Sequence, residues 1–162
     1  MSQLMSIFLT SGLTIFGGVV VLILGEVVKG AFILPIQDLA RLRGKINYAL
    51  IFYANVISNP GLGSPEHLQE VQTVLRHRAS QLLSKSNAIP WYGVWHRLGF
   101  LPKRGNIERA SMLLIGLSNS IFKSEYGERN DNYRMEILWL VGISKNRKHP
   151  VAGASATLSN AP

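Results

Sequence analysis

Residues 4–24 read LMSIFLTSGLTIFGGVVVLIL. As an α-helix rising 1.5 Å per residue, such a stretch covers about 30 Å, the thickness of a bilayer's hydrocarbon layer. No Asp, Glu, Lys or Arg precedes Glu26, and Glu26 with Lys29 marks the far end of the apolar run. The reading is a transmembrane helix. A secretory signal peptide is the rival, but it carries basic residues before its apolar core and a small-residue cleavage site after it. Here Met1-Ser2-Gln3 has no basic side chain and Gly25-Glu26-Val27-Val28 is a poor cleavage site. Residues 1–34 are therefore expected to form a retained anchor with its juxtamembrane segment.

Everything charged lies on one side of that anchor. The chain of 162 residues carries 17 Lys and Arg against 9 Asp and Glu, a net charge of +8, although 47% of it is hydrophobic. Length allows one folded unit besides the anchor and excludes a multidomain enzyme. The lack of cysteine excludes a disulfide scaffold, a thiolate metal site and a cysteine nucleophile. Lys29, Arg41, Arg43 and Lys45 follow the span closely, and basic residues beside a span are retained in the cytoplasm. The prediction is a single-pass protein of the inner membrane, N-terminus outside and C-terminal body in the cytoplasm.

The body, residues 35–144, reads as a helical bundle, so the fold class is all-α. Pro35 is expected to kink or restart the helix, after which Ile36, Leu39, Ile46, Leu50, Tyr53 and Ile57 recur at helical spacing over residues 35–58. Asn59-Pro60-Gly61 stops that helix, and Ser64-Pro65-Glu66 supplies an N-cap, a first-turn proline and a first-turn acid for the next. Leu68, Val71, Leu75, Ala79 and Leu82 mark its buried face. A short helix is expected over residues 91–100, between Pro90 and Gly99. The next, residues 106–123, has one stripe through Ile107, Leu114 and Ile121 and a second through Met112, Ile115 and Phe122. Two stripes predict a central helix surrounded by its neighbours. Residues 124–131 read as a connector and Tyr133 to Ser144 as the last helix, while residues 145–162, small, polar and without apolar period, are expected to be disordered.

The strings Ala110-Ser111-Met112-Leu113-Leu114-Ile115-Gly116-Leu117-Ser118-Asn119, Tyr53-Ala54-Asn55 and Asn59-Pro60-Gly61 resemble uncharacterised bacterial single-pass membrane proteins with a helical cytoplasmic domain. The resemblance implies that architecture and brings no activity with it.

Chemical motifs are scarce. His67, His77, His96 and His149 form no zinc-binding pair, and no glycine-rich phosphate loop is present. No catalytic residue, metal or cofactor is assigned, and the expectation is a protein that is not an enzyme. Ser6, Thr10, Thr14 and Gly18 recur at four-residue spacing in the span, a small-residue face that lets a second helix approach and suits a homo-oligomer. Asn47, Asn55, Ser118 and Asn119 lie on apolar helices, where they are expected to form a buried polar network or to recognise a ligand.

The strongest functional clue is electrostatic. From Val71 to Ile107 there is no acid, while Arg76, Arg78, Lys85, Arg97, Lys103 and Arg104 lie among Trp91, Tyr92, Trp95 and Phe100. Cations beside Trp and Tyr suit the headgroup layer of an anionic membrane. A solvated positive face over an aromatic core is the plain alternative, and nucleic acid the weaker one. The expected membrane-associating residues are Trp91, Trp95, Arg97, Lys103 and Arg104. The functional expectation is a membrane-tethered helical domain that contacts anionic lipid and binds a protein partner or assembles at the surface. The alternative is an oligomerising, membrane-permeabilising effector, holin-like or an antiphage toxin.

Overall fold

The computed structural model describes residues 2–144, so the 145–162 tail expected to be disordered lies outside the described residues. Helix α1 (Ser2–Val28) stands clear of the body, with none of its apolar window buried. It leads through a π-helical turn (Lys29–Ile33) into α2 (Leu34–Phe52). This continuous rod is the one helix among the described residues long and apolar enough to cross a membrane. At its charged end Lys29 lies 3.6 Å from Glu26.

The helix restarts at Pro35, as expected, without a break in the rod. In a regular α-helix the proline ring would strike the carbonyl of Ala31, four residues back. The π turn admits an extra residue: the Leu34 N–H donates to Lys29 O, five residues back, and the wider turn moves the offending carbonyl away. Pro35 then sits in the first turn of α2, where no N–H is required of it.

A break comes at Tyr53 (φ −94°, ψ 16°), which separates α2 from the short α3 (Ala54–Ser58). Tyr53 is buried and its hydroxyl donates to Glu70 Oε1 at 3.0 Å. After the 59–64 turn, the Ser64 hydroxyl accepts from the His67 N–H at 3.2 Å and caps α4 (Pro65–Asn87) as expected. Helix α5 (Tyr92–Arg97), α6 (Arg104–Ser120), a 3₁₀ turn (Ser124–Tyr126) and α7 (Gly127–Leu140) complete the described chain, which contains no strand.

Cross-helix contacts fix the topology. Asp38 meets Lys85 and Tyr53 meets Glu70, so α4 runs antiparallel to α2. Ser111 donates to Ala79 O and Gln72 to Ser118 O, so α6 turns back again. Arg109–Glu136 and Ser120–Asn130 make α7 antiparallel to α6. The four long helices thus run alternately away from and toward the anchor. One core holds them, with Leu39, Ile46, Leu75, Leu82, Leu114 and Ile137 wholly or almost wholly buried.

Two expectations for the second half change. Helix α6 is not surrounded: its first stripe is buried, but Met112, Ile115 and Phe122 are 64%, 43% and 45% exposed. Neighbours α4 and α7 cover two sides only. The last helix begins at Gly127, well before Tyr133, because the polar residues read as a connector are tied to α3. Asn130 is fully buried; its amide donates to Ile57 O at 3.1 Å, a carbonyl that the end of α3 leaves without a helical partner, and its Oδ1 lies 2.6 Å from the Ser120 hydroxyl. Ser58 donates to Asp131 Oδ1 at 2.6 Å. At Gly127 a Cβ would lie 2.5 Å from Ser58 O, so this approach of α7 to α3 needs glycine. Beyond α7, Gly142 has φ +73° and ends the helix in the left-handed conformation that glycine favours, and Arg43 donates to its carbonyl at 3.0 Å.

The Asp38–Lys85 pair makes stability depend on acid. The hydrogen bond from Lys85, reinforced by its charge, holds the Asp38 carboxyl below its ordinary value of 3.8. A carboxylate with a depressed folded-state pKa stabilises the fold above its unfolded value and loses that contribution as pH falls through the folded one. In melts between about pH 4 and pH 2, Asp38→Asn should therefore lose less of its melting temperature than the parent chain, while melting lower at neutral pH.

Candidate membrane-contacting face

The segment between α4 and α6 forms a closed hairpin at the anchor end of the body. Tyr92 donates to Pro102 O at 2.9 Å, His96 Nδ1 lies 3.0 Å from Leu101 O, and the Phe100 N–H donates to Trp95 O at 3.1 Å. Burial raises the Tyr92 hydroxyl pKa above its ordinary value. Ile89, Tyr92 and Leu101 plug the core, and Trp95 is half-buried against it.

The other side of the hairpin is apolar and uncovered. Trp91, Val94, Leu98 and Phe100 are 72%, 51%, 60% and 62% exposed. Val94 and Leu98 follow the i, i+4 spacing that places side chains on one helix face, and Trp91 precedes that helix. The position of this side relative to the anchor is fixed by Phe32 of the π turn, whose ring lies 5.2 Å from that of Trp91 and 6.2 Å from that of Trp95. Ile33 and Leu34, beside Phe32, are likewise exposed.

Trp91 has φ 51° and ψ 39° and is the one non-glycine residue with positive φ among those described. A left-handed conformation at a residue with a bulky side chain costs about 1–3 kcal/mol. It turns the indole outward onto Phe32 rather than into the core.

The five residues expected to meet the membrane divide. Trp91, Arg97 and Lys103 are exposed, and neither cation has an ion-pair partner among the described residues. Arg104 is committed to structure, donating to Asn87 Oδ1 and lying 3.7 Å from Glu108. Trp95 serves mainly as packing, between Phe32 and Phe100, with its buried Nε1 unpaired. Phe32 and Leu98 were missed in the sequence, and Phe100, read there as one of the segment's aromatics, was not placed among the contacting residues. Only the π turn brings Phe32 beside the tryptophans, whereas the Val94/Leu98 spacing was legible.

The remaining candidates are scattered. Ser6, Thr10 and Thr14 share one exposed face with Gly18, and their hydroxyls donate to carbonyls of their own helix at 2.8 Å. Ser118 is buried and joins Gln72 and Arg76 in a clasp between α4 and α6, with Arg76 also donating to Asn119 at 2.8 Å. Asn119 itself is exposed, as is Asn55, which accepts from Asn59, while Asn47 is half-buried. These four residues form no common site, and the buried amide of the bundle is Asn130. Among the described residues no group of three or more His, Asp or Glu side chains is placed to hold a metal ion.

Compared with models of protein families, with curated proteins and with solved structures, the chain matches none. The reading of this face rests on its chemistry.

Proposed function

We propose that the protein is a single-pass, non-enzymatic membrane module whose cytoplasmic helical body is held against the anionic inner leaflet by a second contact beside its anchor. The observation that carries this reading is the exposed Trp91 ring on Phe32 at the foot of the span. If the hydrocarbon layer covers the apolar run up to Val28, Phe32 lies about 6 Å further along the helix, within the headgroup layer. Tryptophan prefers that depth because its ring is apolar and its N–H needs a polar partner. Arg97 and Lys103 add charges that anionic headgroups attract, each contributing about 1 kcal/mol near the surface.

Such a contact fixes how the body stands on the membrane and leaves its far end, with the α2–α3 and α6–α7 turns, for a protein partner. Orientation follows from the basic residues after the span: a reporter fused after Pro162 should report cytoplasm, and protease digestion of the body from outside intact spheroplasts would reverse the assignment.

The lipid contact has its own test in the full chain. With Trp95→Phe and Trp139→Phe, Trp91 is the only remaining indole of the three. In vesicles containing brominated lipids its fluorescence should be strongly quenched. Emission equal to that in unbrominated vesicles would remove the contact. Trp91→Gly relieves the positive φ and should leave the melting temperature unchanged or raised, which separates a lipid-facing indole from one needed for folding.

A further inference from the structure

Between them α2 and α4 form an open pocket of about 540 Å³, none of whose lining residues belongs to the hairpin. That size lies within the roughly 300–1,000 Å³ of pockets that take small ligands. Its apolar floor includes Ala49 and Val74, its wall includes Tyr48 and the buried Tyr53, and Arg41, Lys45 and Arg78 bring positive charge to it. No acid lines it. Asp38 is already held by Lys85 at 2.8 Å and Arg41 at 3.6 Å, and Glu70 by the Tyr53 hydroxyl.

The cations are not equally engaged. Lys45 is exposed and has no ion-pair or hydrogen-bond partner among the described residues. Arg78 meets only a neutral amide, donating from Nη1 to Gln81 Oε1 at 2.9 Å, and its Nε is buried without a partner. A half-buried guanidinium with an unused N–H beside a free ammonium favours a bound anion. Tyr48 adds the second chemistry: it is 66% exposed and stacks on the equally exposed Phe52 with centroids 5.5 Å apart and planes inclined by 16°. A flat ring can lie on this aromatic pair while an acidic group reaches the cations.

We propose that this pocket binds a small aromatic phosphate of mononucleotide size, its phosphate between Lys45 and Arg78 and its ring against Tyr48. The ligand comes from the aqueous phase rather than from the bilayer. Lys45 lies thirteen residues beyond Phe32, about 20 Å along a straight helix and past the headgroup layer. The site is thus separate from the lipid-contacting ridge, and its occupancy does not require that ridge to touch lipid.

The test uses the full chain in lipid nanodiscs. The four nucleoside 5′-monophosphates and phenyl phosphate are titrated by calorimetry, with adenosine and inorganic phosphate as half-ligands. At least one aromatic phosphate should saturate with Kd below about 1 mM, and each half-ligand should bind at least about tenfold more weakly. Lys45→Glu should weaken the aromatic phosphate at least about tenfold with little change in melting temperature, because Lys45 makes no ion pair or hydrogen bond among the described residues and its charge acts on Asp38 only after those of Lys85 and Arg41. Tyr48→Ala should bring its affinity down to that of inorganic phosphate. No saturation by any of the five compounds, or unchanged affinity in Lys45→Glu, would overturn the site. So would inorganic phosphate binding as tightly as the aromatic compounds, or single-stranded oligonucleotide binding in their place.

Discussion

Replacing Asn130 by leucine should cost the bundle about 1–3 kcal/mol, because it strands the buried carbonyl of Ile57. The Asn130 amide is the donor to Ile57 O, and its Oδ1 faces the Ser120 hydroxyl in a fully buried setting. Leucine has as many side-chain heavy atoms and leaves no cavity, so the loss reads as the missing hydrogen bond together with overpacking by its bulkier methyl groups. In that variant the Ser120 hydroxyl keeps Leu117 O as acceptor at 2.9 Å, and Ser120→Ala alone should cost about 1 kcal/mol, since it takes one neutral donor from Asn130 Oδ1. In the double variant the costs should be less than additive, because either change alone already removes the hydrogen bond that the two residues share. Thermal melts of the four chains check this; a leucine variant as stable as the parent would show that Ile57 O is satisfied by another route.

Charge reversal on the anchor-side face should have the larger effect on membrane attachment. In the body cut free of the span, residues 35–144, which retain the single core, Arg97→Glu with Lys103→Glu replaces two attractions by two repulsions. At about 1 kcal/mol for each charge near an anionic surface, the change approaches 4 kcal/mol, roughly a thousandfold in partitioning at low salt. Because the screening length falls to about 3 Å at 1 M salt, the difference should collapse there. Sedimentation with anionic vesicles measures it. Arg104 stays untouched in this comparison, since its pairing with Asn87 and Glu108 would mix a folding defect into the result. Equal sedimentation of parent and variant at low salt would mean that the cations are merely solvated.

How much of this was written in the sequence differs by element. Helix α4 was legible almost to the residue, because Ser64, Pro65 and a regular apolar stripe are local signals that agree with one another. The long apolar N-terminal helix was equally plain in composition. Pro35 was legible as the restart of the helix, but not the π turn that accommodates it, a local escape that no residue pattern announces. The start of α7 was misplaced because Asn130 and Asp131 look like loop residues until α3 is folded against them. Within the lipid-facing candidate, residue type was readable but depth was not. Trp91 and Trp95 are indistinguishable as letters, and only a left-handed backbone at one of them puts it outside. The pocket between α2 and α4 was missed for a related reason. Arg41, Lys45 and Tyr48 lie one and two turns apart on one helix, but Arg78 reaches them only through antiparallel packing.

The π turn has a mechanical meaning as well. Since α1 passes into α2 without an interruption in its helical backbone, the span and the bundle form a single shaft rather than a bead on a string. A residue more or less in such a shaft turns everything beyond it by about 100° and shifts it by about 1.5 Å. The extra residue taken up at Lys29–Ile33 therefore sets the compass bearing of the body about its own anchor, and with it the side on which Trp91 meets Phe32. Because no loop separates the span from the body, a rotation of α1 about its own axis is expected to turn the four long helices of the body with it.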